Sequence, residues 1–466
     1  MVTHHHIQKS PVAILMIISG ATMLSLMVFT LPLTTLAATV LALHANAGAQ
    51  AWILSAMPLG AAAGLLSAGA LGDNQGRSRV FQGGLMLLVL SSVVGALASH
   101  VVVLIFARIF QGLSCAALMA CGLGLIGQVY PVGRARSNAA GVWAAGLGAG
   151  VALGPIVAAI LLKIGGWQAS YWASAILAGL FAVAGFFLLP KDPDTTKHEK
   201  QKVDYAGSLV LIVGMVAFLA ALIEARLGFH PIVFWLLISG LVLFGIFVRI
   251  EMRSSNPILH LSLFRRMDFV GATVGAFASG AGVLSIMTLL PTVLERGLGA
   301  QPLVAAVVLT AWSAVTAMTA LAARSLPKGW SSHGLLVASL IGCGIGQLLL
   351  LLVGACNGVW MSIPGLFLAG IANGVLNAAL GHQALETVPH HRTAMGSAAN
   401  NTARYLGSSI GITIAAVIIA QASELKGLSG LFEGWHVAVL VSVVFTIFGI
   451  LAVVFTGGQQ SKQVCI

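Results

Sequence analysis

Arg108 stands inside an otherwise apolar run and is followed by Gln111 and Gly112. Arg-x-x-Gln-Gly on a helix sets the two polar side chains one turn apart on one face. A guanidinium in hydrocarbon is costly, so it marks a functional position by default; the bland alternative is an arginine near a helix end that snorkels to the interface. A second group is Gly69-Ala-Leu-Gly-Asp73-Asn-Gln-Gly76-Arg77-Ser-Arg79. Here Gly76 allows a tight turn, and Asp73 with Arg77 and Arg79 forms either a breakable ionic latch or a solvated turn whose cations set topology. Two further side chains are candidates for carrying protons. Glu295 lies just after Pro291, where the alternative is an outer-loop acid paired with Arg296, and His382 lies late in an apolar run, where the alternative is an interfacial histidine without a proton role.

These residues need elements to hold them, and composition says what the elements are. Of 466 residues, 58% are hydrophobic and 8% charged, against about 25% charged in soluble domains. The formal charge of +11 does not form a nucleic-acid surface, because the Lys and Arg are dispersed among alternate loops between apolar runs. Runs of about 20 apolar residues, the length needed to span a bilayer, recur near 12–36, 52–71, 80–98, 101–128, 137–162, 169–189, 206–224, 232–250, 269–294, 302–323, 334–354, 358–381, 395–420 and 436–456. The first exceeds the 7–15-residue core of a signal peptide and reads as a retained span.

Fourteen spans put both termini on one side. With that side cytoplasmic, the inner segments collect eighteen of the 23 Lys and Arg, Arg404 counted among them, while Lys163, Arg226, Arg296 and Lys426 are outside and Arg108 is left within a span. Charged linkers at 191–204 and 251–268 divide the chain into six helices (1–190), a pair (205–250) and six more (269–466). Residues 108–131 and 366–389 resemble each other, sharing Gly112 with Gly370 and ending in Pro131/Arg134 and Pro389/Arg392. An internal duplication is the natural reading, with a substrate site between the halves.

The fifth run carries Gly146, Gly150 and Gly154 at four-residue spacing and then Pro155, a flat stripe for close helix contact with a bend at its end. Phe277, Met287 and Trp312 are candidate walls of a greasy cavity, although helix packing is the commoner fate of such side chains. Cys115, Cys121, Cys343, Cys356 and Cys465 show no metal or redox spacing and read as free thiols; His4, His5 and His6 read as a tail. No metal site or cofactor is indicated. There is no His-Glu-x-x-His, no Gly-x-Ser-x-Gly, no paired carboxylates on one face, and no loop long enough for a sensing domain, which argues against an enzyme or a receptor.

The Gly-x-Leu-x-Asp-x-x-Gly-Arg loop, the Arg-x-x-Gln-Gly span and the Gly-Pro span, in this order, resemble the signature motifs of the major facilitator superfamily. Fourteen spans with a central extra pair, Asp204-Tyr205-Ala-Gly207, and Asn256-Pro-Ile-Leu-x-Leu-x-Leu-Phe264 look like its fourteen-span drug:proton antiporter family. The resemblance implies an all-α fold of two six-helix bundles plus two central helices, in the inner (plasma) membrane, working as a monomer and exporting small apolar or amphipathic compounds against protons. The alternatives are a narrow metabolite exporter or an uptake carrier. It assigns Asp73, Arg77 and Arg79 to a latch, Arg108 to proton coupling or substrate response, and Gly154 and Pro155 to the exporter-type interface. The sequence departs from the family twice. The acid often found nine residues before the proline of span one is Met23 here, with Pro32 as the proline, and the usual Gly-Gly after Gly-Pro is Ala158-Ala159.

Overall fold

A computed structural model describes residues 10–131, 134–190, 205–225, 230–254, 261–323, 332–354, 357–386 and 393–457. Within these the chain is helical from end to end: α1 (Pro11–Thr30), α2 (Pro32–Ala42), α3 (Ala47–Gln75), α4 (Arg77–Ala96), α5 (Val101–Val129), α6 (Arg134–Leu188), α7 (Tyr205–Glu224), α8 (Pro231–Arg253), α9 (Met267–Ala278), α10 (Ser285–Leu298), α11 (Pro302–Ala322), α12 (Ser332–Leu349), α13 (Ile363–Glu386) and α14 (Thr393–Gly457). Backbone groups in hydrocarbon must be satisfied within their own segment, which leaves the helix as the spanning element for a chain of this composition.

Twelve helical stretches among the described residues are long and apolar enough to cross a membrane, two fewer than the sequence reading counts. The difference lies in α6 and α14, of 55 and 65 residues. Each contains non-helical backbone where the sequence reading places a boundary: Gly165–Gly166 in α6 and Gly427 in α14. Gly166 (φ 70°) and Gly427 (φ 61°) take the left-handed region that side chains resist, so the chain turns without an intervening loop. It doubles back at both. Gly146 and Phe181, on either side of the α6 break, flank the same level of α1, at Ser19 and Gly20. Beyond Gly427, Gly430 abuts the carbonyl of Ala422 and Gly434 the backbone of Ile418 and Ile419.

The first expected span also differs. It runs as α1 and α2, from Pro11 to Ala42, with Leu31 between them and Pro32 opening the second piece. Pro32 has no N–H to offer the carbonyl of Val28, so the helix is interrupted there. Between α9 and α10 a six-residue π-helical turn, Ser279–Leu284, makes one continuous stretch to Leu298. Glu295 is therefore inside a helix rather than beyond its end.

The core is built by small residues that let helices touch backbone to backbone. Gly60 of α3 and Gly112 of α5 face each other; a Cβ on Gly112 would stand 2.7 Å from the Ala61 nitrogen and 2.9 Å from the Gly60 Cα. The same relationship recurs between α11 and α13, where a Cβ on Gly370 would be 2.9 Å from the Trp312 carbonyl. The matched glycines of the two related segments thus each press on the helix two positions earlier in the fold.

Two large apolar clusters fill the interior. One is drawn mainly from α1, α3, α4 and α5 and reaches α7 and Tyr405 of α14. The other joins Leu33 and Leu36 of α2, Ile53 and Leu54 of α3 and Leu104 of α5 to α10, α11, α13 and α14, so the end of the molecule where α2 finishes is closed by a core common to both parts of the chain. Near the opposite end, Leu66 of α3 meets Leu263, Phe269 and Ala399 in a much smaller cluster. Helices α7 and α8 pack on each other through Gly214 and Gly240. Of the two, α7 contacts α3 and α14, with the Ser67 and Ser208 hydroxyls 2.7 Å apart.

Candidate functional site

The Arg108 side chain is 1% exposed and is held by acceptors rather than by an acid. Nη1 donates to the Val28 carbonyl at 2.7 Å and to Gln111 Oε1 at 3.0 Å, and Nη2 donates to the Phe29 carbonyl at 3.2 Å. Gln111 Nε2 donates in turn to Ser92 Oγ at 3.1 Å, and Ser114, one turn further along α5, donates to the Gly84 carbonyl at 2.8 Å. The i, i+3 pairing expected of Arg108 and Gln111 is present, and the snorkelling alternative is not. The Val28 carbonyl is available because Pro32 cannot donate to it. Arg108 therefore caps the last turn of α1 at the interruption and fixes α5 to it. Its Nε is buried with no partner among the described residues.

The glycine stripe of α6 packs on α1 just before that interruption. Cβ atoms on Gly146, Gly150 and Gly154 would meet, in order, the carbonyl of Ser19, the carbonyl of Met23, and Thr30 with Met27. The Thr34 hydroxyl donates to the Pro155 carbonyl at 3.2 Å, so the Gly-Pro end of the stripe reaches α2. Met23, which occupies the position of the missing acid, is thus part of a backbone contact. Gly148, on the next face of α6, faces α11, where a Cβ on it would stand 2.6 Å from the Ala317 Cβ, which brings the two parts of the chain together.

In the turn between α3 and α4, Gly76 (φ 107°) ends one helix and begins the next. Arg77 donates to Asp73 Oδ1 from Nη2 at 2.8 Å and from Nε at 3.1 Å. The pair is exposed and closes within its own turn. The Arg77 side chain also lies across Gly124 of α5, where a Cβ would stand 2.5 Å from Nη1. Arg79, at the start of α4, has interactions of its own.

The remaining expected residues are dispersed. Glu295 is half-buried in α10 with Oε1 buried and unpaired, next to an exposed Arg296. The side chain of His382 lies outside the described residues, as do Pro389, Arg392, Cys356, Cys465 and His4 to His6. Met287 and Trp312 are 1% and 4% exposed and belong to the apolar core, and Phe277 packs edge-on against Phe445 with centroids 6.4 Å apart. Cys115, Cys121 and Cys343 are buried.

One cation is misplaced by the sequence reading. Arg404, counted with the inner loops, lies within α14 and is half-buried. Its Nη1 donates to Asn377 Oδ1 of α13 at 2.8 Å and its Nη2 to Asn401 Oδ1 at 2.9 Å. The signal is in the sequence, since 395–420 encloses it, but loop arithmetic absorbs it.

A helical interior, a buried arginine at a helix interruption, and glycine-lined contacts that join two related sets of helices suit a carrier. The family model described as "Major Facilitator Superfamily" matches residues 18–412 and again 272–463. The chain belongs to this superfamily. The second match falls on the later part of the chain. Superfamily relatives include the "Multidrug resistance protein Stp" of Mycobacterium tuberculosis (strain ATCC 25618 / H37Rv), 26% identical over 376 residues and covering 79% of this chain and 68% of that one. The "Riboflavin transporter RibZ" of Clostridioides difficile (strain 630) is 26% identical over 374 residues, covering 79% and 80%. In fold the chain is similar to a solved POT family transporter in complex with 5-aminolevulinic acid, with a TM-score of 0.65 over 93% of this chain and 94% of that one at 16% identity. Fold and family make the chain a multi-span membrane transporter of a small molecule.

Proposed function

We propose that the protein is a proton-coupled exporter of small apolar or amphipathic compounds in the plasma membrane. It works by alternating access, as a monomer, with the proton gradient as its energy source and no cofactor. The observation that carries this reading is Arg108 bonded to the end of α1 at the Pro32 interruption, beside a Gly-Pro stripe seated on the same helix. A charge held by carbonyls that a kink exposes has a bond that changes when the kink changes, which is what a rocking bundle requires.

In this reading α6 and α14 each cross twice, giving fourteen spans with both termini cytoplasmic: six helices, the α7–α8 pair, and six more. The shared core at the α2 end is the closed outer face, so the conformation is inward-facing and loads from the cytoplasm. Asp73 and Arg77 hold the inner turn, Arg108 and Gln111 couple substrate or proton occupancy to α1, and Glu295 and His382 are the proton-carrying candidates. Phe277, the most exposed of the three apolar candidates, is the one that remains a wall residue in this conformation. Kinship with the multidrug resistance protein favours a broad range, and kinship with the riboflavin transporter supports the second reading, a narrow metabolite carrier.

The test is efflux of a dye panel, cationic, neutral and acidic, from energised cells before and after a protonophore. Efflux of several dyes above empty-vector cells that collapses with the protonophore is the expected result. No efflux of any dye, with the protein present in the membrane, moves the assignment to the narrow carrier.

A further inference from the structure

The Arg404 guanidinium takes no part in the proposed coupling and pairs with no acid among the described residues. Ion pairs observed elsewhere, among them Arg77–Asp73, Arg266–Asp268 and Lys426–Glu433, do not involve it. Its two forks end on the side-chain carbonyls of Asn377 and Asn401. These are neutral acceptors that orient the cation and leave its charge uncompensated. Its Nε is buried with no hydrogen-bond partner among the described residues. An arginine with two asparagines within apolar helices cannot face lipid cheaply; such groups turn to the protein interior or to a wet cavity.

The neighbours say which interior. Tyr405, 4% exposed, carries the Arg404 cation 5.5 Å above its ring. The same ring is edge-on to Phe29 of α1 at 6.1 Å, and its hydroxyl is 3.4 Å from Met119 Sδ of α5. One turn on, Ser409 donates to the Ser55 carbonyl of α3 at 2.8 Å. Arg404 therefore sits where the later helices meet α1, α3 and α5, one residue from a ring that touches Phe29, whose own carbonyl holds Arg108. Its backbone is fixed as well: Gly280 in the π-helical turn abuts the Arg404 carbonyl, and Gly407 abuts that of Phe277. A cation on so rigid a support, with a donor to spare, is built for an anion.

We propose that Arg404, Asn377 and Asn401 form the polar end of the substrate site, with Phe29 as its aromatic wall and Tyr405 buried behind the cation, and that the favoured substrate is an amphipathic anion. One carboxylate, sulfonate or phenolate on an apolar body is the chemistry that fits. The absence of an acid at Met23 belongs to the same picture, since a site selecting anions has no use for a second negative charge. This rests on the export reading for the direction of transport only; recognition of the anion is a property of the site at equilibrium.

The test is equilibrium binding to the full-length protein in nanodiscs of zwitterionic lipid, at one pH and without a gradient. The probes are matched in size: 1-naphthylacetate, its neutral amide, and (1-naphthylmethyl)trimethylammonium. The wild type should bind the carboxylate at least tenfold more tightly than the other two. Arg404→Gln should erase that preference while the amide binds as before, which also reports a folded site. Arg404→Lys, which keeps the charge and loses the fork, should keep a reduced preference and serves if the glutamine variant does not fold. Equal affinity for the three probes in the wild type, or an undiminished preference in either variant, overturns the proposal. Since no gradient is applied, failure of protonophore-sensitive efflux in cells would sink the export reading and leave this result standing, and the reverse also holds.

Discussion

Arg108 Nη1 and the carbonyl of Val28 are 80 residues apart in the chain and 2.7 Å apart in space, and the bond exists because Pro32 leaves that carbonyl without its helical donor. An interrupted helix in lipid needs its freed backbone groups satisfied by a neighbour. Here the neighbour is a cation whose own burial would otherwise be unaffordable. Each defect stabilises the other, which explains how an arginine without an acid can sit in the middle of the first six helices.

Arg108→Ala should lower transport at least tenfold with the protein still in the membrane, and Arg108→Lys should recover little, because one ammonium cannot bridge two carbonyls and Gln111. Pro32→Ala is the sharper variant. It returns an N–H to Val28, so Arg108 loses its best acceptor while the helix gains a bond. Transport should fall severalfold with thermal stability in detergent unchanged or raised; wild-type transport by Pro32→Ala would separate the two features.

Gly112→Ala and Gly370→Ala address the matched helix crossings. A methyl on Gly112 meets backbone on three sides and one on Gly370 chiefly the Trp312 carbonyl and the Val315 side chain. Overpacking of this kind costs about 1–3 kcal/mol, with Gly112→Ala at the upper end. Melting temperatures of the purified variants check the order, and the reverse order would contradict the packing.

Gly148 and Ala317 lie face to face between the two parts of the chain, a Cβ on Gly148 falling 2.6 Å from the Ala317 Cβ. Cysteines at both positions need only a small separation of the helices to reach disulfide geometry. Oxidation should crosslink them and stop transport, and reduction should restore it. The check is a mobility shift on a gel after cleavage of the chain between the two positions, followed in parallel with dye efflux.

Glu295→Gln keeps the size of the side chain and removes its ability to release a proton. If Glu295 carries protons, this variant should bind substrate as the wild type does and lose substrate accumulation driven by a pH gradient in inside-out vesicles. Retained gradient-driven uptake would return Glu295 to a local role beside Arg296.

What the sequence made readable was whatever depends on spacing along one helix. Arg108 with Gln111, and Gly146, Gly150 and Gly154, are fixed relative to one another by helical geometry alone, and the structure finds them on common faces. The partnership of Gly112 with Gly60, by contrast, needs two helices and was visible only as a shared glycine in a repeat. Arg404 was missed because the topology count assigned it to an inner loop near a span end, and an arginine held by asparagines leaves no charge pattern. Met287 and Trp312 show the converse: large apolar side chains suggest a wall, but their burial comes from packing that no single run of sequence specifies. The bends at Gly166 and Gly427 were legible as span boundaries and not as turns made within a glycine.

The π-helical turn at Ser279–Leu284 has an effect on everything that follows it. Such a turn is one residue of surplus within an α-helix, and one residue is about 100° of rotation. Met287 and Glu295 consequently face a direction that a helical wheel drawn from Met267 does not give. Removing one residue from Ser279–Leu284 would rewind the helix and swing the Glu295 carboxylate a quarter-turn or more around its axis. The surplus residue acts as a phase shifter, and moving it along the helix is a way for the chain to re-aim a side chain without breaking a span.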